Sequence, residues 1–311
     1  MNSSAPDRYV GRFAPSPTGP LHFGSLLAAV ASYLQARARA GKWLLRIEDI
    51  DPPREEPGAD KLILHALQAY GFHWDGDVLY QSRSAAIHEA LVSELLNRGL
   101  AYPCDCSRRD LAEAPRSALG TIYPGTCRGG CTASEFAVRI RTDNNPVRFE
   151  DALQGTVAQR LESESGDFVI KRRDGLIAYH LAVVVDDYEQ GITEIVRGID
   201  LIDSTPRQIY LQKTLQYPTP RYLHIPVAVN ADGQKLSKFT GASGLPLTGT
   251  GPVLVAALRA LSQPVPSNLE NARLDEIWRW AVDHWDVGVL TGRKDVTAGQ
   301  YSLAQGQNGL R

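Results

Sequence analysis

Apolar runs of strand length and helical repeats alternate along the first hundred residues. Residues 8–13 and 43–47 have the length and apolar character of strands. Residues 26–40, 60–69 and 87–97 place apolar side chains at helical spacing, and a glycine closely follows each segment. This order of strands and helices predicts an α/β fold in which a parallel sheet carries helices on both faces.

The pattern breaks into a loop-rich stretch at residues 104–131 and then resumes. Arg173-Asp174-Gly175 is typical of a hairpin turn between two further strands, and Pro206 favours a helix start after Ser204. A turn is predicted at residues 230–233. The helix that starts after Ser204 is predicted to run to about residue 215. Further strands are predicted at residues 136–141, 168–171 and 178–185, and further helices at 252–261 and 269–284.

The composition is that of an ordinary globular protein, with 43% hydrophobic and 22% charged residues. No apolar run approaches the roughly 20 residues that span a bilayer. The first residues also lack the apolar core of a signal peptide. We therefore expect a cytoplasmic protein without a membrane partner.

The net charge of −2 does not by itself predict a nucleic-acid-binding protein. If RNA is a partner, it must contact a local basic patch. The candidates are Arg108, Arg109 and Arg116, and the run Lys171, Arg172 and Arg173, although a solvated surface is the more common explanation for either group taken alone.

Two distant segments carry residues suited to phosphate. Residues 14–25 (APSPTGPLHFGS) form a small-residue loop that opens onto the first helix, where free backbone N–H groups attract anions. Gly24 has no Cβ, so a flat ring can lie against the backbone, and His22 offers a ring N–H donor. Residues 235–239 (KLSKF) add two lysines that can neutralise a polyphosphate. Each segment alone is also typical of a plain turn or a solvated surface.

These two signatures, HFGS at residues 22–25 and KLSK at 235–238, make the chain similar to the class I aminoacyl-tRNA synthetases. It most resembles the glutamyl branch, through residues 12–19 (RFAPSPTG), 46–49 (RIED) and 196–201 (VRGIDL). The resemblance covers about residues 8–240 and implies a Rossmann-like parallel sheet. It also implies catalytic roles for His22 and Lys238 and the binding of ATP with Mg²⁺. The implied ATP-binding residues are Pro15, His22, Gly24, Ser25, Lys235, Ser237 and Lys238.

Selection of free L-glutamate requires partners for two carboxylates and one ammonium. Arginine offers a bidentate fork to a carboxylate, and a glutamate side chain can pair with the ammonium. The resemblance implies a glutamate site made by Arg12, Phe13, Ala14, Pro15, Ser16, Glu48, Tyr179 and Arg197. In the glutaminyl branch an arginine is typically absent at the position of Arg197, so this residue favours glutamate over glutamine. The sequence does not decide which arginine binds which carboxylate.

All cysteines of the chain lie in the loop-rich stretch. In a cytosolic protein such clustering favours a structural zinc site over disulfides. The resemblance implies Cys104, Cys106, Tyr123 and Cys127 as ligands of one Zn²⁺. From chemistry alone Cys131 is the better fourth ligand, because the phenol pKa of tyrosine is near 10. Both alternatives stay open.

The region that follows Phe239 is too short for the large helical anticodon-reading region of a full glutamyl-tRNA synthetase. In this the chain resembles the shortened glutamyl-Q tRNA(Asp) synthetases, which attach glutamate to the queuosine base at the wobble position of tRNA(Asp). We expect a catalytic core at residues 1–103 and 136–240, a zinc-binding insertion at 104–135 and a helical C-terminal segment at 241–311. The alternatives are a truncated synthetase that charges the 3′ end of tRNA(Glu), and a non-catalytic zinc-bearing RNA-binding module.

Overall fold

The computed structural model describes residues 9–230, 232–236 and 244–297. The strands in these ranges are β1 Val10–Phe13, β2 Lys42–Ile47, β3 Leu79–Tyr80, β4 Ala101–Cys104, β5 Arg116–Ser117, β6 Gly120–Thr121, β7 Ala137–Ile140, β8 Pro146–Asp151, β9 Gly155–Arg160, β10 Val169–Lys171, β11 Glu194–Gly198, β12 Arg221–Ile225, β13 Val227–Val229 and β14 Asp295–Thr297. The α-helices are α1 Phe23–Arg37, α2 Ala59–Ala69, α3 Ala85–Asn97, α4 Leu161–Glu164, α5 Tyr179–Glu189, α6 Thr205–Thr214, α7 Thr250–Ala260 and α8 Leu274–Asp283. Short 3₁₀ helices lie at Pro52–Arg54, Gln81–Ser84, Ile199–Ser204, Ser267–Asn271 and Val287–Leu290.

Parallel strands form the centre of the molecule. Strands β1, β2 and β3 make one parallel sheet, and β11, β12 and β8 follow in parallel with β9 antiparallel at the edge. The two groups adjoin where the Thr193 amide donates to the Val10 carbonyl over 2.9 Å. The predicted α/β class is confirmed. In such sheets ligands bind beyond the carboxyl ends of the strands, and Arg12, Glu48 and Arg197 lie at those ends.

Helix α1 is buried along nearly its whole length, because its leucines and alanines pack between the sheet and the C-terminal helices. An aromatic cluster extends this core: Trp43 and Phe72 stack, and Tyr33 meets both rings edge-on. Trp278 of α8 joins them and donates its indole N–H to the Tyr70 carbonyl over 2.8 Å. The C-terminal helices therefore belong to the same core as the first strands.

A second core surrounds α5, and here one prediction from the sequence was wrong. Residues 178–185 were expected to form a strand, but the structure places Tyr179–Glu189 in a helix. The run Leu181–Asp187 is buried on all sides, so it has no polar face to reveal a helical period. The turn before it exists, with the Arg172 amide bonded to the Leu176 carbonyl at 2.8 Å, but it leads into α5.

Most other element predictions hold within a few residues. The expected helix at 269–284 is divided into a 3₁₀ turn and α8, which begins after Arg273, whose backbone amide donates to the Glu276 carboxylate at 3.1 Å. The expected turn at Asn230 is present, since its side-chain oxygen accepts from the Gln234 amide at 2.8 Å. Within the described ranges, none of the helices is long and apolar enough to cross a membrane.

Candidate active site

A cavity of about 440 Å³ opens at the carboxyl ends of β1, β2 and β11. Every residue that the sequence suggested for glutamate binding lines it, with the exception of Pro15. Arg54, which the sequence reading did not single out, also lines this cavity. The lining residues are Arg12, Phe13, Ala14, Ser16, Ala28, Glu48, Arg54, Tyr179, Val196, Arg197, Gly198 and Leu201.

A buried ion-pair network forms one wall of this cavity. Arg12 donates to both carboxylate oxygens of Asp187, at 3.2 and 3.3 Å. Arg46 donates to the same carboxylate at 2.8 Å and to Glu48 at 3.2 Å. Burial raises the pKa of Glu48, and the nearby guanidinium groups of Arg46 and Arg12 oppose that rise. Arg12 thus has an acidic partner before any ligand arrives.

Arg197, which also lines this cavity, has a different environment. It is 5% exposed, and its partners in the described part of the chain are neutral. Its Nη2 donates to Thr205 Oγ1 and Gln208 Oε1, both at 2.8 Å, and its Nη1 lies 3.5 Å from the Tyr179 hydroxyl. Its Nε donates to His224 Nε2 at 3.1 Å. A buried guanidinium with such partners keeps its full charge for a ligand carboxylate.

A second cavity of about 220 Å³ adjoins the first, because Ala28 and Gly198 line both. His22, Gly24, Ser25 and Lys235, four of the residues suggested for ATP, line this second cavity. Lys235 pairs with Asp200 at 2.6 Å. Ser237 and Lys238 lie outside the described residues, and Pro15 lines neither cavity.

Helix α1 begins three residues earlier than the sequence pattern indicated, because His22 caps it. The His22 Nδ1 accepts from the Ser25 amide at 3.4 Å, so a neutral ring carries its proton on Nε2. The first turn contains no acidic side chain, which keeps this helix start attractive to anions. Gly24 fits tightly here, since a Cβ would lie 3.1 Å from His22 Cε1 and 3.3 Å from the Leu236 carbonyl.

Three sulfur atoms gather in the loop-rich stretch. The Sγ atoms of Cys104, Cys106 and Cys127 lie within 4.8 Å of one another. The Tyr123 hydroxyl lies 3.3 Å from Cys104 Sγ and 3.7 Å from Cys106 Sγ, whereas the sulfur of Cys131 is outside this group. Burial acts to raise the pKa of the Cys104 thiol, but hydrogen bonds from Tyr123 and Arg139 bring it below its ordinary value. These three cysteines could hold a metal ion.

The basic run at residues 171–173 is less available than the sequence suggested. Lys171 pairs with Glu89 at 2.7 Å, and Arg172 pairs with Asp51 at 3.0 Å and Asp174 at 2.6 Å. Arg173 donates to the backbone carbonyl of Asp105, between the first two cysteines. Arg108, Arg109 and Arg116 are exposed.

Comparisons with known proteins agree with this geometry. Residues 9–243 match the family model described as tRNA synthetases class I (E and Q), catalytic domain. A glutamyl-Q tRNA(Asp) synthetase of Ectopseudomonas mendocina is 52% identical over 279 residues, which are 89% of this chain and 93% of that protein. One of Pseudomonas fluorescens is 50% identical over 303 residues, 97% of this chain and all of that protein. The chain belongs to the glutamyl-Q tRNA(Asp) synthetase family.

The fold of this family member is that of the class I synthetases, as the sequence predicted. A crystal structure of a glutamate tRNA ligase from Elizabethkingia meningosepticum, in complex with its amino acid, superposes with a TM-score of 0.76. That match covers 95% of this chain and 68% of the ligase at 22% identity.

The residues that lie behind the cavity lining were not identified from the sequence. Arg46 was seen only as part of a motif, and the partners of Arg197 were not identified. One signal was available: Asp186-Asp187 ends a long apolar run, and acids at the edge of a core are usually paired. The missed residues are Asp151, Asp187, Thr205, Gln208 and His224.

Proposed function

We propose that this chain activates L-glutamate with ATP to glutamyl-adenylate and transfers the glutamate to the queuosine base at the wobble position of tRNA(Asp). The observation that carries the first step is the charge pattern of the larger cavity. Arg197 keeps an unneutralised charge for one carboxylate, and Glu48 offers a partner for the ammonium. Arg12, already paired with Asp187, adds positive potential at the same cavity.

The adjoining cavity suits the nucleotide. In the activation step a carboxylate oxygen of glutamate attacks the α-phosphorus of ATP, and pyrophosphate leaves. His22 Nε2–H and the start of α1 would hold phosphate oxygens, and Lys235 and Lys238 would stabilise the charge on the departing pyrophosphate. Mg²⁺, bound to the nucleotide, would neutralise phosphate charge. Positioning and charge neutralisation suffice for this chemistry, so no covalent enzyme intermediate is required.

The names of the relatives carry the choice of acceptor. Proteins 50–54% identical to this chain over at least 93% of their own length are glutamyl-Q tRNA(Asp) synthetases. A base in an anticodon loop can be splayed out and brought to a cavity directly. The exposed Arg108, Arg109 and Arg116 would contact phosphates of that RNA.

We also assign one structural Zn²⁺ to Cys104, Cys106, Tyr123 and Cys127. The phenol oxygen lies beside two of the three sulfurs, so these four groups would supply the four donors of a closed structural site. We place the insertion at residues 104–135, the catalytic core at 1–103 and 136–240, the C-terminal segment at 241–311, and the protein in the cytoplasm.

Two assays test this function. Glutamate-dependent ATP–pyrophosphate exchange should occur without any tRNA, since the described cavity is assembled from this chain alone. Glutamate should then attach to queuosine-bearing tRNA(Asp), even after removal of its 3′-terminal adenosine, but not to the unmodified transcript or to tRNA(Glu). Charging of tRNA(Glu) would restore the truncated-synthetase alternative. Absence of exchange under all conditions would favour a non-catalytic RNA-binding module.

A further inference from the structure

His224 lies on β12 directly beside Arg197 on β11. The parallel register of these strands places the two residues opposite each other. The Arg197 Nε donates to His224 Nε2 at 3.1 Å, and the histidine is fully buried. His224 is therefore part of the wall that supports the cavity, although it does not line the cavity itself.

Asp151, at the end of β8, fixes the imidazole ring. Its Oδ2 lies 2.6 Å from His224 Nδ1, and its oxygens also accept from the backbone amides of Leu153, Gln154 and His224. With a carboxylate at Nδ1, the ring carries its proton there and presents Nε2 as an acceptor. That acceptor is what the Arg197 Nε–H requires.

The resulting arrangement holds a guanidinium without a direct acidic contact. His224, Thr205 and Gln208 each bond one N–H of Arg197, and these neutral groups separate it from the carboxylate of Asp151. At Arg12, by contrast, the carboxylate of Asp187 contacts the guanidinium directly. This difference between the two arginines matters for binding, because a ligand carboxylate binds most strongly to an arginine whose charge is not already paired.

We propose that His224, oriented by Asp151, is a positioning residue for glutamate: it fixes the fork of Arg197 toward the cavity and leaves its charge unneutralised. This inference rests on the proposed binding of glutamate by Arg197. It predicts that changes at His224 act on the KM for glutamate and leave the KM for ATP unchanged.

Two substitutions separate the two sides of the imidazole. Asparagine reaches only the position of Nδ1, so His224→Asn keeps a group for Asp151 but loses the acceptor for Arg197. Glutamine reaches the position of Nε2, so His224→Gln restores that acceptor. In pyrophosphate exchange, His224→Asn should raise the KM for glutamate roughly tenfold, the scale of one lost hydrogen bond to a charged group. His224→Gln should stay within about threefold of the wild type, and exposed His284→Asn should not differ from it.

A third variant tests the unpaired charge independently of the histidine. Gln208→Glu is nearly isosteric and places a carboxylate where Oε1 now accepts from Arg197 Nη2. It should raise the KM for glutamate without changing the KM for ATP. If thermal unfolding shows that His224→Asn is not folded, Gln208→Glu still tests whether glutamate binding requires the unpaired charge of Arg197.

The outcomes are distinguishable from failure of the proposed function. A wild-type protein without glutamate-dependent exchange contradicts the proposed function itself. An active wild type in which His224→Asn and His224→Gln behave alike, or in which both KM values rise together, overturns the positioning role. An unchanged glutamate KM in Gln208→Glu overturns the inference that Arg197 must lack an acidic partner in order to bind glutamate.

Discussion

Arg12 and Asp187 form a two-point ion pair across 175 sequence positions, with N···O distances of 3.2 and 3.3 Å. Both residues are buried, and the same carboxylate also accepts from Arg46 at 2.8 Å. Burial acts to raise the pKa of Asp187, but the two guanidinium groups lower it below its ordinary value. One carboxylate thus contacts two buried cations behind the larger cavity, and Glu48 is a second acidic partner of Arg46.

Asp187→Asn should therefore destabilise the protein strongly. Removal of one partner from a buried ion pair costs about 3–5 kcal/mol, because the remaining charges stay buried without compensation. Urea unfolding at pH 7 measures this change. Asp275→Asn, which breaks an exposed pair with Arg273, should cost at most about 1 kcal/mol. Equal effects of the two variants would contradict the importance of the buried network.

Arg197→Ala should raise the KM for glutamate far more than the KM for ATP. Loss of a charge-assisted contact costs roughly 1.5–3 kcal/mol, which is at least a tenfold change. Arg197→Lys should recover little, because a lysine lacks the fork and cannot reach His224, Thr205 and Gln208 together. Arg98→Ala, at an exposed ion pair with Glu94 just after the end of α3, is the control in the same exchange assay. An unchanged glutamate KM in Arg197→Ala would remove this arginine from the site.

The free energy of unfolding should fall as the pH is lowered below about 6.5. Burial lowers the pKa of His224, although its hydrogen bond to Asp151 opposes this, so the unfolded chain binds that proton more readily. The effect amounts to at most about 1.4 kcal/mol per pH unit for one proton. The pKa values of Asp151 and Asp187 are also lowered, so these residues too reduce the free energy of unfolding on acidification. They act in a lower range, near and below pH 4.

Urea unfolding at a series of pH values checks this assignment. His224→Gln should reduce the slope below pH 6.5 without removing it, because burial also lowers the pKa of His180, to about 3, and this histidine acts with the same sign. His284→Asn, at an exposed position, should keep the wild-type slope. A His224→Gln protein with the wild-type slope would show that another group is responsible.

Gly24→Ala should weaken ATP use while changing stability little. Alanine gains about 0.5–1 kcal/mol of helix propensity over glycine, but its Cβ would lie 3.1–3.3 Å from the His22 ring and the Leu236 carbonyl. Gly251, in the first turn of α7, is a matched control, since its nearest contacts would be 3.5 Å or longer. We expect a higher KM for ATP in Gly24→Ala and an unchanged one in a slightly stabilised Gly251→Ala. Identical ATP KM values would show that the space at Gly24 is not needed.

Zinc content distinguishes the candidate ligands. Cys106→Ser should lose the metal, and Cys131→Ser should keep it, because the sulfur of Cys131 lies outside the three-sulfur group. Tyr123→Phe should bind zinc more weakly, and chelation should lower the unfolding temperature of the wild type. Elemental analysis of the purified variants measures this directly. Zinc lost from Cys131→Ser but kept in Tyr123→Phe would reverse the choice between the two residues.

The sequence was informative where chemistry lies in one short segment. Arg12, Ser16 and Glu48 stand in contiguous motifs that end strands, and strand ends meet at one edge of a parallel sheet. Asp187 and His224 could not be placed in this way, because their partners are distant in sequence and meet only after folding.

The error at residues 178–185 has a related cause. Val183, Val184 and Val185 favour a strand by propensity, but the second core buries them from every direction. A fully buried helix and a buried strand give the same short apolar run.

The pairing of β13 with β14 connects the far end of the described chain to the smaller cavity. Val227 and Ala228 line that cavity, and their strand hydrogen-bonds in parallel to Asp295–Thr297. Gln154 extends this link by donating to the carbonyls of His224 and Arg293. Local opening of the last strand would therefore expose the cavity wall. In native-state hydrogen exchange, the amides of both strands should open as one unit, and a nucleotide that protects β13 should protect β14 equally.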